Sequence, residues 1–192
     1  MLAEREAYRV KQPALSEHQL VFIDESAIST TLHHAYGRAP AGERVTLYAP
    51  TYGARRTLVG AVALDGRTAL AVLDEGLRIT SFQAYVRDHL APMLRPGDVV
   101  VMDNLRIHKN PDAVAAIEAT GASVVFQPRY SPEFNAIEHC WSWIKHHLRG
   151  LGCRAIDQLV SYAKQQWRKI TPKLCQSWAR GCGSVSYTHL RA

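Results

Sequence analysis

The sequence is poor in cysteine, and its cysteines form no recognisable pattern. The 192 residues include only four, at positions 140, 153, 175 and 182, with no CxxC pair and no regular spacing. Such spacing predicts free thiols in a reducing compartment rather than a disulfide framework. Soft zinc ligands do lie close together in one segment, but their spacing fits no common zinc pattern; they are His139, Cys140, His146, His147 and Cys153.

Long apolar runs, linkers and repeats are also missing. The first twenty residues contain no apolar segment of signal-peptide length, and no later run is long enough to cross a bilayer, so we expect a cytoplasmic protein. A composition of 47% hydrophobic and 21% charged residues is typical of one folded domain, which we place at residues 19–180 between a lead-in (1–18) and a tail (181–192). The net charge of +6 is compatible with a polyanionic partner but does not establish one.

The spacing of apolar residues predicts a meander of strands followed by alternating helices and strands. A short strand at 19–24 precedes a long polar loop, and a hairpin closes at Asp65-Gly66. Ser81 is a candidate cap for the first helix. This order indicates the α/β class, with helices on the faces of a mixed sheet. The strands are predicted at 19–24, 44–49, 57–64, 68–73, 98–103 and 123–126, and the helices at 82–90, 111–120, 135–149 and 156–167.

Three carboxylates occur at predicted element ends. Asp24 ends the first strand, Asp103 follows the apolar run Val99 to Met102, and Glu138 begins a helix. Residues beyond the carboxyl ends of parallel strands converge in space. Three acids in one crevice repel one another unless a cation neutralises them, and oxygen ligands suit Mg²⁺. Two such ions would activate a hydroxyl and stabilise the departing oxygen of a phosphodiester.

Each acid also has a purely structural interpretation. Asp103 followed by Asn104 is typical of a turn, and Asp24 is equally able to begin a loop. Glu138 lies three residues after Asn135, the spacing of a capping box with Asn135 as the N-cap. The combination of three acids in one order and spacing favours the functional interpretation.

That combination resembles the DDE transposases, specifically the bacterial insertion-sequence branch of the mariner superfamily. The resemblance covers residues 20 to 150, and 34 residues lie between Asp103 and Glu138, the spacing of this branch. The segment SPEFNAIEHCW is its most specific part. The matching stretches are VFIDES (21–26), GRAPAGERV (37–45), VVVMDNLRIHK (99–109) and FQPRYSPEFNAIEHCWSWIKHHLR (126–149).

The resemblance implies a ribonuclease H-like fold, a five-stranded mixed sheet flanked by helices. It implies that Asp24, Asp103 and Glu138 are catalytic and bind Mg²⁺ or Mn²⁺, two ions in all, with Asn104, His108 and Asn135 around them. The implied activity is hydrolysis of phosphodiesters at transposon ends and transfer of the 3′-hydroxyl strand into target DNA. Double-stranded DNA is the implied partner, and family members act as dimers or larger assemblies.

The sequence departs from the family at three places. Ala136 stands where relatives usually have proline, which should weaken the helix start only modestly. Relatives carry an N-terminal helix-turn-helix region that reads the terminal repeats, whereas about twenty residues precede the first strand here. We therefore expect a catalytic domain that needs a separate subunit or a missing domain to read DNA. The tail GCGSVSYTHLRA (181–192) resembles no element of the family's fold.

Basic side chains continue the stripe that begins at Glu138. Lys145 and Arg149 follow it at helical spacing and are candidate phosphate contacts, as are Arg38, Arg55 and Arg56. A solvated face that complements the helix dipole would have the same pattern. Two alternatives to an active transposase stay open: a truncated remnant that only binds DNA or a partner subunit, and a ribonuclease H-like nuclease for other substrates.

Overall fold

The fold is described by a computed structural model that covers residues 2–15, 19–34, 36–46 and 50–184. Within these ranges one mixed sheet has five strands in the order β3-β2-β1-β4-β5. The central strand β1 pairs antiparallel with β2 and parallel with β4. The α/β class and the five-stranded mixed sheet are therefore confirmed. The strands are β1 (Leu20–Ser29), β2 (Arg55–Ala63), β3 (Thr68–Leu73), β4 (Val99–Met102) and β5 (Ser123–Phe126).

Six α-helices surround the sheet in the described ranges. The second continues directly into a π-helical turn at Val86–Leu90 and a 3₁₀ turn at Ala91–Met93, and another 3₁₀ turn, Pro132–Phe134, precedes the fourth. None of these helices combines the length and apolar character needed to span a membrane. They are α1 (Leu2–Leu15), α2 (Ile79–Tyr85), α3 (Pro111–Glu118), α4 (Ile137–Arg149), α5 (Ile156–Trp167) and α6 (Pro172–Gly181).

Alternation along the strands produces two hydrophobic cores, one on each face of the sheet. Phe22 and Val101 belong to the core beneath α4, α5 and α6. Val21 and Val100, the pair before them in register, belong to the core beneath α2 and α3. Because side chains on a strand alternate between faces, the parity of a residue in β1 or β4 determines which helices it meets.

Gly60 allows α4 and α5 to approach the sheet closely. It pairs with Asp24 across the antiparallel ladder. A Cβ atom at this position would lie 2.5 Å from Trp167 and 2.7 Å from Trp141. Both indoles are buried, as the helical spacing predicts for Trp141. The two tryptophan rings therefore occupy the space that a side chain at position 60 would fill.

The first strand is longer than its sequence predicts. It does not end at Asp24 but continues to Ser29, paired residue by residue with β2 as far as the Ser29 and Arg55 pair. Ser26 and Ile28 stay buried on the same face, so the alternation persists through a polar stretch. The predicted strand at 44–49 is not observed at residues 44–46, which are irregular, and residues 47–49 lie outside the described ranges.

Helix ends account for the other differences. Ser81 is not the N-cap of α2; the helix begins at Ile79, and the Ser81 hydroxyl accepts a hydrogen bond from the backbone N–H of Arg78 at 2.9 Å. Helices α1 and α6 were not predicted. In α1, Tyr8 is buried against Phe134, with ring centroids 5.2 Å apart. In α6, Cys175 and Trp178 join the core beneath α4.

Candidate active site

Strand register places Asp24 and Asp103 on the same face of the sheet. In the parallel pair, Leu20 lies beside Val99 and Phe22 beside Val101. Two residues further along each chain are Asp24 and Asp103, so both lie on the face that carries α4. Glu138 is the second residue of α4. All three acids line one cavity of about 350 Å³.

Two chain segments complete the wall of this cavity. One follows β4 and the other follows β5, so both leave the carboxyl ends of parallel strands, where ligand sites form in open sheets. Gln127 and Asn135 are each 2% exposed, whereas Arg106, Arg129 and Tyr130 are exposed at the rim. The remaining lining residues are Asn104, Leu105, Pro128, Ser131 and Pro132.

Asp24 lies in a strongly unfavourable environment for a negative charge. Burial, together with the neighbouring carboxylates of Glu25, Glu138 and Asp103, raises the pKa of Asp24 to about 8. Burial also raises the pKa of Glu138, although Lys145 opposes that shift. The cavity therefore concentrates carboxylates whose charges are incompletely compensated by the protein, which is the electrostatic condition for binding a cation.

Burial and unpaired oxygens agree with an oxygen-ligated cation. Among the buried polar atoms, Oδ1 of Asn104 and Oδ1 of Asn135 have no hydrogen-bond partner, and both residues line the cavity. In the described ranges no three His, Cys, Asp or Glu side chains converge tightly enough to enclose an ion. Mg²⁺ does not require that, because it is usually held by one or two carboxylates and several waters. The residues present therefore fit a hydrated divalent cation.

Asn135 is not the N-cap of α4, and the predicted capping box with Glu138 is wrong. The helix begins at Ile137, and the Asn135 side chain turns into the protein, where its Nδ2 donates to the carbonyl oxygen of Ile23 at 3.1 Å. This bond ties the start of α4 to the backbone next to Asp24. The parallel ladder between β1 and β4 ends at the pair Phe22 and Val101, one residue before Ile23. A buried carbonyl oxygen without a partner is costly, so this bond outweighs the local cap.

His108 links Asp103, which follows β4, to Glu25 of β1. It is fully buried, and its Nδ1 lies 2.5 Å from Oδ1 of Asp103. Its Nε2 lies 3.4 Å from Oε2 of Glu25. Burial alone would lower the pKa of His108, but the two carboxylates outweigh burial and raise it to about 9.

The five predicted DNA contacts do not lie together. Lys145 is half-buried, and burial lowers its pKa, with Glu138 and Asp24 acting in the opposite direction and Arg149 and Arg55 reinforcing the shift. These three cations therefore share one neighbourhood beside the acids. Arg56 instead pairs with Asp74 at 2.9 Å, and Arg38 lies in an irregular exposed segment.

Several residues of the site were missed in the sequence. Glu25 follows Asp24 directly but faces the opposite side of β1, and its partner His108 lies far away in the chain. Gln127 directly follows β5, and its backbone N–H donates to the carbonyl oxygen of Met102 at 2.8 Å. The signal for Gln127 was its place directly after a parallel strand. No local pattern identifies Glu25, because its role depends on tertiary contact.

Comparison with known proteins places the chain in a family. The sequence profile described as DDE superfamily endonuclease matches residues 19–160. The chain belongs to the DDE superfamily endonuclease family. No protein of curated function matches its sequence.

Solved transposase structures have a similar fold. A pre-cleavage Mos1 transpososome matches with a TM-score of 0.73 at 14% identity, over 95% of this chain and 57% of that chain. The Mos1 mariner paired end complex with Mn matches with a TM-score of 0.72 at 16% identity, over 95% and 58%. The catalytic domain of Mos1 mariner transposase matches with a TM-score of 0.61 at 14% identity, over 95% and 88%. The fold is therefore ribonuclease H-like, and the chain spans little more than half of the first two transposase chains.

Proposed function

We propose that this protein is the catalytic domain of a DDE transposase. It hydrolyses phosphodiesters at transposon ends and transfers the freed 3′-hydroxyl strand into target DNA. The observation that carries the proposal is the placement of Asp24, Asp103 and Glu138 around one cavity in a chain of this endonuclease family. The similarity to Mos1 complexes that contain transposon ends supports DNA as the substrate.

Asp24, Asp103 and Glu138 would hold Mg²⁺ or Mn²⁺. Two structures with the similar fold were solved with Mn and with Mg, which supports this choice of ions. Bound divalent ions, two in our proposal, would activate the attacking hydroxyl and stabilise the departing oxygen. Asn104 and Asn135 supply buried oxygens beside the acids, and the rim arginines Arg106 and Arg129 would neutralise phosphate charge at the cavity mouth.

The DNA backbone would leave the cavity along α4. Glu138 lies in the first turn of this helix, and Lys145 and Arg149 follow on the same side, with Arg55 close by. Arg149 also lines a second cavity, together with His33, His34 and Tyr36. Contacts of this kind neutralise phosphates without reading bases. Arg38 would contribute from its exposed segment, whereas Arg56 is engaged by Asp74 and should contribute least. Assembly as a homodimer, and a helix-turn-helix region that reads the transposon ends, belong to the same proposal.

Cleavage of supercoiled plasmid tests the proposal. Purified protein should nick the plasmid in Mg²⁺ or Mn²⁺, and Asp103→Asn should reduce the rate at least about a thousandfold while leaving the fold intact. Glu118→Gln changes an exposed carboxylate at the end of α3 and serves as the matched control. Nicking by Asp103→Asn at the rate of the control would refute the proposal. Metal binding without cleavage, even on transposon-end DNA, would instead identify an inactive remnant. Preferential cleavage of hybrids or junctions would identify a different nuclease.

A further inference from the structure

His108 is buried where a histidine needs specific partners. None of its side-chain surface is exposed, and its ring packs against Phe82 with the ring centroids 4.8 Å apart. A purely structural histidine in an apolar core usually satisfies its nitrogens with main-chain groups or water. Here both ring nitrogens face carboxylates, Asp103 on one side and Glu25 on the other.

Glu25 is placed by the alternation of β1. Asp24 faces α4 and the cavity, so the next residue faces α2 and α3. Its Oε2 is buried and, like Nε2 of His108, makes no hydrogen bond; the two atoms lie 3.4 Å apart, at the distance of an ion pair. Glu25, His108 and Asp103 therefore form one continuous polar chain that passes from the back of β1 to the cavity.

The contacts of Asp103 are concentrated on one oxygen. Oδ1 accepts the backbone N–H of Leu105 at 3.0 Å and lies 2.5 Å from Nδ1 of His108. Two bonds to the same oxygen restrict both torsions of a short side chain, which would otherwise rotate freely at the end of a strand. The second oxygen, Oδ2, is then the one left for a ligand in the cavity.

We propose that His108 and Glu25 are positioning residues that hold Asp103 in the orientation required to bind a divalent cation. Glu25 orients the imidazole, and the imidazole orients the carboxylate. Outer residues of this kind typically account for a tenfold to hundredfold difference in metal affinity because they remove the freedom of the ligand before binding. The inference rests on the proposed function for the identity of the ligand, but it concerns metal affinity rather than turnover.

Three substitutions separate positioning from packing. His108→Leu removes both polar contacts and should weaken Mn²⁺ binding, measured by calorimetry on the whole chain, about 10- to 100-fold. In His108→Asn the amide nitrogen occupies nearly the position of Nδ1, so the bond to Asp103 survives and affinity should stay within about fivefold of the wild type. Glu25→Gln keeps the shape of a residue that does not line the cavity and should weaken binding about tenfold.

Asp98→Asn provides the matched control for a loss of stability. Asp98 is buried at the other end of β4 and pairs with Arg67, so its substitution should lower the melting temperature without changing Mn²⁺ affinity. A fall in affinity for this control equal to that of His108→Leu would show that destabilisation alone explains the effect, and would overturn the proposal. Glu25→Gln keeps the test decisive if His108→Leu does not fold.

The outcomes distinguish this inference from the proposed function. Unchanged Mn²⁺ affinity in His108→Leu and Glu25→Gln would overturn the positioning role even if the wild type cleaves DNA. Graded affinities in the order wild type, His108→Asn, His108→Leu, together with no cleavage by the wild type, would support the positioning role and refute the transposase. Absence of Mn²⁺ binding by the wild type would overturn both.

Discussion

The two ends of strand β4 carry an aspartate each, and the protein treats them in opposite ways. Asp98 precedes the strand and is 2% exposed. Its two oxygens accept from Arg67 at 2.9 and 3.1 Å, and its Oδ2 accepts the backbone N–H of Arg95 at 2.8 Å. The charge is buried, and it is also matched in full by a bidentate cation.

Asp103 follows the strand, and its surroundings are acidic. Asp24 and Glu138 line the same cavity, and Glu25 lies behind it on the other face of β1. Among the residues described, His108 is the one buried cationic group that contacts these acids. Repulsion between these carboxylates destabilises the folded protein, and clusters of this kind are typical of sites where a ligand neutralises the charge. The two ends therefore differ in both respects: Asp98 is buried and matched by Arg67, whereas the Asp103 side chain is 38% exposed and lies among other acids. The excess of acids at the Asp103 end is what our proposal of a cation site there requires.

The largest effect expected from this comparison is on stability. Asp98→Asn removes the buried carboxylate that Arg67 binds through two nitrogens, and Arg67 keeps its contact with Asp65 at 2.7 Å. The substitution should lower the free energy of unfolding by about 3 kcal/mol. Asp103→Asn relieves repulsion and keeps an acceptor for His108, so it should change the free energy by less than about 1 kcal/mol. Urea denaturation of the two variants without metal measures the difference. Equal losses would mean that both ends are structural.

A second, smaller effect concerns the packing behind Asp24. Gly60→Ala places a methyl group against Trp141 and Trp167 and should cost about 1 to 3 kcal/mol through overpacking. Gly76→Ala is the matched control, because a Cβ there meets no atom within 4 Å, and it should stay within about 0.5 kcal/mol of the wild type. Thermal and urea denaturation both report the change. Equal stability of the two variants would show that the tryptophans move aside freely.

The pH dependence of stability sharpens the comparison further. Because the pKa of Asp24 is raised to about 8 in the folded protein from an ordinary value of 3.8, the folded state retains a proton that the unfolded state has lost. Stability without metal should therefore fall as pH rises from about 4 to 8. Asp24→Asn removes this contribution, so its melting temperature should fall less steeply over the same range.

The contribution of His108 is common to both proteins in that experiment. Its pKa of about 9 lies above the ordinary 6.5, so its stabilisation is complete below 6.5 and is lost as pH rises through 9. The difference between wild type and Asp24→Asn cancels this term. Addition of Mg²⁺ at pH 8 should raise the melting temperature of the wild type and not of the variant. If the melting temperatures of the two proteins fell equally with rising pH, the raised pKa of Asp24 would be contradicted.

The smallest effect concerns the salt dependence of DNA binding. If Lys145 and Arg149 contact phosphates, replacing each by glutamine should reduce the slope of log affinity against log salt by about 0.9. Arg87→Gln is the control, since Arg87 is exposed in the π-helical turn after α2 and pairs with Asp88 at 2.7 Å. Titration of duplex DNA at several salt concentrations gives the slopes. Identical slopes for the Lys145, Arg149 and Arg87 variants would show that this face of α4 does not contact the DNA backbone.

Elements with complete local signals were predictable from the sequence. The bounds predicted for β3, β5 and α5 agree with the structure because alternating or helical periodicity ran between clear turn residues, such as Asp65-Gly66 and Gly121. The meeting of Asp24, Asp103 and Glu138 at one cavity was also predictable from their order and spacing. The catalytic roles themselves stay predictions.

Features that depend on distant partners were not predictable. β1 extends past Asp24 because β2 pairs with it as far as Ser29. The residues from Glu25 to Ser29 carry no local pattern that predicts this pairing. Asn135 is locally well placed to cap α4, but its side chain instead donates to the carbonyl oxygen of Ile23, 112 positions away. Glu25 acquires its partner only when the segment after β4 folds beneath β1.

The length of β1 has a consequence for how the acids would come together. Asp24 lies in the middle of a ten-residue strand, opposite Gly60, with ladder pairs on both sides of it. Its main chain is thus clamped, whereas Asp103 follows a strand end and Glu138 sits in a first helical turn. Any rearrangement on ligand capture should leave the α-carbon of Asp24 stationary, and superpositions of loaded and empty states are best anchored there.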